Sequence, residues 1–321
     1  MNLVIIKNNL NNNFPLSHKY RSLYVREKIL ETYYSVDNYF SNIISSGKPA
    51  SIVRLGGTEA RVLGLLLQQK KLLREWDFSA LMLNKLNYKK RLYQLKNNAG
   101  LYPIDESQLG FFWDTYNRSI VNSDLIGVWG NTFTWCENYF LKNTESIPVP
   151  HMACSPWIES YNNSNLRPWS YSLKNKKVLV ISPFSRSFSE QFERINKVFP
   201  NLDYPLKQPI FIQSPITQGG IEDGLSSKFH FEKICQQILN LDFDVALISA
   251  GVYATPIANY IKSIGKIGIN CGGELQLFFG VLGERWINSN KHKNYFNSYW
   301  VRPKLDERPK NWRNIENGCY W

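Results

Sequence analysis

Histidine and cysteine are both scarce in this chain, with four of one and five of the other among 321 residues. No two of His18, His151, His230 and His292 stand at HxxxH spacing, and none of Cys136, Cys154, Cys235, Cys271 and Cys319 forms a CxxC pair. Tetrahedral zinc takes closely spaced thiolate and imidazole donors, so a zinc centre is not expected. Five scattered thiols do not make a disulfide framework either, and they suit a reducing cytosol. Long apolar runs are missing. No stretch approaches the ~20 residues of a membrane helix, and the opening residues 1–13 have neither the apolar length nor the cleavage site of a secretory signal. The P-loop pattern, a GxGxxG after a strand and the GxSxG elbow are absent as well. ATP hydrolysis, nicotinamide chemistry and serine hydrolysis thus lose their usual marks.

Acidic residues are also in short supply: 26 against 38 basic ones, a formal charge of +12 and a pI near 9.3. Such a balance attracts polyanions, whether nucleic acid, anionic lipid or phosphorylated substrates. The charge is uneven. Lys70, Lys71, Arg74, Lys85, Lys89, Lys90, Arg91 and Lys96 face only Glu75 and Asp77 in the same stretch. A solvated helix face is the plain explanation of that cluster. An apolar content of 43% is ample for a packed core and excludes disorder over most of the length.

Periodicity places the elements. Residues 19–46 carry Leu23, Ile29, Leu30, Tyr33, Tyr34, Phe40, Ile43 and Ile44 at helical spacing, closed by Gly47 and Pro49. A strand SIVRL, a Gly56–Gly57 turn and an apolar helix TEARVLGLLLQQ follow, in the order that opens a Rossmann-like unit. A basic helix is expected at 84–97, a loop at NNAGLYP, a helix at 105–121 and a strand at LIGVW, residues 125–129. In the second half, strands KKVLVISPF, PIFIQSP, DFDVALISAG and KIGIN alternate with helices SFSEQFERINKVF, FHFEKICQQILNL, YATPIANYIKSIG and GGELQLFFGVLG. Alternation of this kind builds an α/β fold with a mainly parallel sheet flanked by helices. A single domain over 1–321 is expected, with a helical extension at 1–49, a Rossmann-like core at 50–286 and an irregular surface-wrapping tail at 287–321.

Ligands of parallel α/β sheets bind where strands end and helices begin. Four such turns stand out: Leu55–Glu59, Ser182–Ser185, Ser249–Tyr253 and Asn270–Gly273. Glycine lets backbone N–H groups approach a phosphate, and a helix N-terminus adds partial positive charge. Glycine also suits such turns for geometry alone. Arg54 ends a buried strand, a costly place for a cation unless it pairs or meets an anion. Glu59 either complements its helix dipole or serves as a general base or metal ligand beside a diphosphate. Trp129, Trp135, Trp157, Trp169 and Trp286 are either core or platforms for the apolar faces of sugars.

The run IVRLGGTEARVL resembles the Arg-x-Gly-x-x-Glu signature of GT-D-type glycosyltransferases of bacterial surface-polysaccharide and glycoprotein clusters. NNAGLYP, PWSYSLKNKKVLVISPF, DFDVALISAGVYATPIANYIKSIGK, GGELQLFFGVLGERW and the terminal ENGCYW are similar to segments of that family. The resemblance implies a hexosyltransferase-type enzyme with a Rossmann-like GT-D fold. It would move a sugar from a nucleotide diphosphate, UDP foremost, onto a growing capsule, lipopolysaccharide or glycoprotein glycan. It further implies Glu59 and Arg54 as catalytic residues. Gly56, Gly57, Thr58, Ser185, Gly251, Tyr253, Gly272, Gly273, Gln276 and Arg285 would contact the nucleotide sugar. Family members hold Mn2+ or Mg2+ with a DxE motif in the first glycine turn. Here Glu59 matches the Glu, but Gly57 stands at the Asp position, and one carboxylate is a poor divalent-ion site. Asn270 is a second departure, at a position where His is expected.

Leaving-group charge would then fall to Arg54, Arg285 or a lysine. The expected partners are a nucleotide sugar and a glycan or lipid-diphosphate acceptor, and not nucleic acid, because the basic residues do not collect on one base-reading helix. The enzyme is expected in the cytoplasm, drawn to the anionic inner face of the plasma membrane by Lys85, Lys89, Lys90 and Arg91. Competing readings are a non-catalytic scaffold of a glycan-assembly complex and a pyruvyl- or phosphotransferase.

Overall fold

The computed structural model describes residues 35–70, 87–130, 134–156, 167–219, 223–287, 289 and 292–321. The expected helical segment 19–34, the start of the helix at 84–86, and Lys71, Arg74, Lys85 and Trp157 lie outside those residues. Helix α1 (Val36–Ser46) stops at Gly47, whose φ of 65° gives the left-handed cap. Strand β1 (Ala50–Arg54) then feeds α2 (Gly57–Gln69) through the expected glycine turn. The basic helix α3 (Tyr88–Gln94) continues as a π turn, Leu95–Ala99, ended by Gly100. Helix α4 (Glu106–Val121) is capped by Asp105, whose carboxylate accepts the Gln108 N–H. Strand β2 (Leu125–Val128), helix α5 (Thr134–Leu141) and strand β3 (Ile147–Pro150) complete the first half.

The second half comprises β4 (Val178–Ser182), α6 (Ser185–Phe192), α7 (Ile195–Val198) and β5 (Ile210–Gln213). It continues with α8 (Ser227–Leu239), β6 (Val245–Ile248), α9 (Ala254–Ser263) and β7 (Ile267–Asn270). Short helices α10 (Leu275–Phe278) and α11 (Glu284–Ile287) follow. All seven strands run parallel in the order β3-β2-β1-β7-β6-β4-β5. Ile52 pairs with Leu125 on one side and Ile269 on the other, which fixes β1 between β2 and β7. The α/β fold with a parallel sheet and flanking helices is therefore as expected.

Parallel sheets are covered on both faces, and their strands read as continuous apolar runs. Two cores follow. One packs α2, α4, α8 and α9 against the sheet through residues such as Leu63, Phe112, Ile238 and Ile257. The other packs α1, α6 and the tail through Phe40, Phe188, Phe279 and Trp321. From β1 the chain turns toward β2 and β3, whereas β7 arrives from the opposite half of the sheet. The reversal leaves a crevice at the carboxyl ends of β1 and β7, where open α/β sheets take their ligands.

Strand β3 escapes sequence reasoning because Pro148 and Pro150 break its pattern. Only an edge position tolerates them, since proline gives no N–H to a ladder. The expected helix GGELQLFFGVLG shrinks to a 3-10 turn and α10, because Gly280 turns the chain away with φ 67°. The tail does more than cover the surface. Ile315 and Trp321 are buried, Leu282 N–H bonds the Val301 carbonyl at 2.7 Å, and the terminal segment returns to the crevice.

Candidate functional site

Every parallel strand delivers its following turn to the same edge, so the four turns, three of them glycine-bearing, are neighbours before any side chain is placed. A cavity of about 340 Å3 opens there. Arg54, Gly56, Gly57, Thr58 and Glu59 form one wall, Gly251, Gly272 and Gly273 a second, and Arg285, Glu316 and Tyr320 a third.

Arg54 is half-buried, and the one described hydrogen bond of its side chain goes from Nη1 to the Cys271 carbonyl at 2.9 Å. Among the described residues it makes no ion pair. A guanidinium carries five N–H donors, and Arg54 brings this group to the cavity wall. Its position is set from behind. The Thr255 hydroxyl donates to the Arg54 carbonyl at 2.9 Å, and the Asn270 amide donates to Thr255 Oγ1 at 3.0 Å. Asn270 Oδ1 in turn accepts the Gly272 N–H at 3.2 Å. Asn270, where the resemblance led us to expect His, thus ties β1, α9 and the β7 turn together. The same bond occupies the Gly272 N–H. What Gly272 contributes is room: its φ is 63°, and a Cβ there would lie 2.6 Å from Arg54 Cζ.

Glu59 sits in the first turn of α2, 9% exposed, with its carboxylate folded back over Gly56. Burial pushes its pKa up to about 6; the Glu316 carboxylate adds to the rise, and its own backbone N–H and Arg54 oppose it. Tyr116 closes the floor behind it, with a hydroxyl held well above its usual range by burial and by the Glu59 charge. Gly57 and Thr58 open α2, and first-turn N–H groups of a helix have no intrahelical acceptor. Cation and carboxylate therefore flank a helix N-terminus at the switch point of the sheet.

The fold coincides with one known architecture. A family model for a GT-D fold-like domain matches residues 33–278. The chain belongs to the GT-D-like family. Among curated proteins and solved structures, nothing matches it. A GT-D-like domain implies a glycosyltransferase, and with it a sugar donor and an acceptor.

Nine of the twelve residues singled out by sequence line the cavity, and three stand apart. Ser185 is buried at the start of α6, where the Glu307 carboxylate accepts the Arg186 and Ser187 N–H groups and the Ser187 hydroxyl. That helix N-terminus is filled by the protein's own anion. Tyr253 donates its hydroxyl to Thr217 Oγ1 (3.1 Å) and Ser227 Oγ (3.2 Å), stapling two loops. Gln276 is fully buried and donates to the Tyr320 carbonyl at 2.9 Å, which anchors the tail. Arg285 joins the cavity through the tail as well. It pairs with Glu316 at 2.7 Å and lies over the Tyr320 ring, 3.9 Å from its centroid.

Trp129, one of the tryptophans read as core or sugar platforms, lines the cavity beside His151, which carried no comparable signal in the sequence. Trp129 and His151 follow β2 and β3 and stack with centroids 3.8 Å apart. The Trp129 indole N–H donates to the Leu55 carbonyl at 2.8 Å, and its backbone N–H, with that of Gly130, is held by buried Glu137. Of the other tryptophans, Trp169 and Trp286 pack in the core, and the side chains of Trp135 and Trp157 lie outside the described residues. No helix among the described residues is long and apolar enough to cross a membrane.

The donor set fits a divalent ion poorly. Gly57 offers no carboxylate, Glu316 is engaged by Arg285, and no group of three or more His, Cys, Asp or Glu side chains that could hold a metal occurs among the described residues.

Proposed function

We propose that this GT-D-like protein transfers a hexose from a nucleoside diphosphate sugar, UDP foremost, onto a growing bacterial surface glycan. The observation that carries the reading is Arg54, a half-buried guanidinium with one backbone partner at the mouth of a helix N-terminus. Such a site favours an anion strongly, and a diphosphate matches both its charge and its bidentate geometry. An acceptor hydroxyl attacks the anomeric carbon, the bond to the diphosphate breaks, and the sugar passes through an oxocarbenium-like state. Arg54 and the first-turn N–H groups of α2 balance charge on the departing diphosphate. Glu59 takes the acceptor proton, a task its raised pKa suits. With Gly57 at the Asp position, no step is assigned to Mn2+ or Mg2+.

Helix α3 supports a peripheral contact with an anionic membrane, where lipid-diphosphate acceptors reside. Lys89 and Lys90 are exposed on it, and none of its residues is buried. Changing Lys89, Lys90 and Arg91 to Glu would release the protein from phosphatidylglycerol vesicles; unchanged vesicle binding would remove this contact.

Thermal melts with UDP, GDP and CMP and their common sugars, each with Mn2+ or with EDTA, test the donor class. A ligand present at 100 times its Kd adds about 2.7 kcal/mol. Selective stabilisation by one nucleoside diphosphate, equal in both metal conditions, is expected. No stabilisation by any of them would overturn the nucleotide reading and favour the scaffold.

A further inference from the structure

Three segments far apart in the chain meet beside Gly251: the π turn Leu95–Ala99, the loop after β5 that carries Gln218, and the tail near Asn314. The Gly219 N–H donates to the Asn97 carbonyl at 2.9 Å, the Thr217 hydroxyl to the Gly100 carbonyl at 2.7 Å, and the Asn97 amide to the Asn314 carbonyl at 2.6 Å. Gly251 lets them close, since a Cβ there would overlap Gln218 Nε2 and lie 2.6 Å from the Ala99 carbonyl oxygen. Asn98 and Gln218 are half-buried and line the cavity. The Gln218 carboxamide has no hydrogen-bond partner among the described residues, and neither its nitrogen nor its oxygen is sealed from solvent. On Asn98 the oxygen is taken. The Asn314 carbonyl can only accept, which fixes Asn97 Nδ2 as a donor, and that nitrogen also donates to Asn98 Oδ1 at 2.9 Å. What Asn98 has left to offer is its amide N–H groups.

We propose that Asn98 and Gln218 read the polar edge of a pyrimidine, making this part of the cavity the base subsite of the nucleotide. The inference rests on the nucleotide-sugar reading and adds to it the class of base. Gln218 supplies one donor and one acceptor, and Asn98 a second donor. Uracil presents acceptor, donor and acceptor along its Watson–Crick edge, the complement of that set. Cytosine presents donor, acceptor and acceptor, and the Gln218 amide turned over meets it equally well. The chemistry is thus shared by the two pyrimidines. Guanine presents one acceptor and two donors, so in either orientation one of its N–H groups faces an amide N–H. A phosphate supplies acceptors only and leaves the Gln218 oxygen unmatched. The walls suit a flat ring: Ile216, Ala250 and Ile315 line the same cavity, and ligand sites join apolar walls to a few placed polar groups. A π turn is also a recurrent feature of functional sites.

Isothermal titration of the full chain with UDP, CDP, GDP and inorganic pyrophosphate is the test. The parent is expected to bind UDP or CDP about tenfold or more tightly than GDP, and the tighter of the two names the base. Gln218→Met keeps the length of the side chain without its hydrogen bonds. It should weaken the preferred pyrimidine nucleotide about tenfold and leave GDP and pyrophosphate affinity unchanged. Asn98→Ala, on a different segment, should weaken the same nucleotide and spare the same two probes. Unchanged pyrophosphate binding shows in each case that the cavity is intact. GDP bound as tightly as UDP and CDP, or a Gln218→Met protein with the parent's affinity for both pyrimidine nucleotides, would overturn the base subsite and leave the nucleotide reading standing. A Gln218→Met protein that loses pyrophosphate in the same proportion as UDP would overturn it as well, since the loss would then lie in the fold. A parent that binds no nucleoside diphosphate would overturn both readings together.

Discussion

The Glu59 carboxylate occupies the space that a side chain at position 56 would fill. Gly56 is therefore the partner that lets Glu59 curl over its own helix N-terminus. The atoms a methyl group there would meet first all belong to the flexible end of the Glu59 side chain. Gly56→Ala should consequently fold normally and turn over poorly. Melting temperatures and kcat measured side by side check this; a variant with full activity would separate Glu59 from the reaction.

Glu59 also makes stability depend on pH. Its folded pKa, raised from 4.5 to about 6, favours the protonated carboxyl in the folded chain. Folding is helped by this group below about pH 4.5, and that help is lost as pH rises through about 6. At pH 7.5 the ionised carboxylate costs about 2 kcal/mol relative to a neutral isostere. Glu59→Gln should melt higher than the parent at pH 7.5, with the gap closing toward pH 5, while transfer activity collapses. A gap independent of pH would contradict the burial argument.

Tyr253 and Glu307 should behave as structural groups. Tyr253→Phe loses two hydroxyl bonds and is expected to cost about 1 kcal/mol in urea unfolding, with UDP affinity unchanged. Glu307→Ala strips the cap of α6 and leaves its buried donors unpaired, a loss of about 3 kcal/mol. Weaker UDP binding in Tyr253→Phe, at unchanged stability, would return that hydroxyl to the ligand site.

Gly272→Ala combines a disfavoured left-handed residue with a clash against the Arg54 guanidinium. It should weaken UDP binding at least as much as it lowers stability. Wild-type UDP affinity in this variant would show that the guanidinium can shift without consequence.

The sequence carried the parallel sheet because buried strands such as VLVI and VALI announce themselves without alternation, and each glycine turn marks a strand's end. The crevice wall from Arg54 to Glu59 was legible for the same reason. What escaped depends on distant packing. His151 follows a strand disguised by two prolines, so its place in the cavity wall depends on sheet pairing that no local pattern records. Ser185 has the local features of a phosphate turn, yet a glutamate 122 positions later fills the helix end. Arg285 and Glu316 reach the cavity through tail geometry, with Glu316, Asn317 and Gly318 all at positive φ.

Isothermal titration of UDP into the parent and into Arg54→Ala tests the central claim most directly. The account predicts saturable binding by the parent, equal in Mn2+ and EDTA, and a loss of at least tenfold in the variant, about 1.4 kcal/mol. Equal UDP affinity in the two proteins would contradict it.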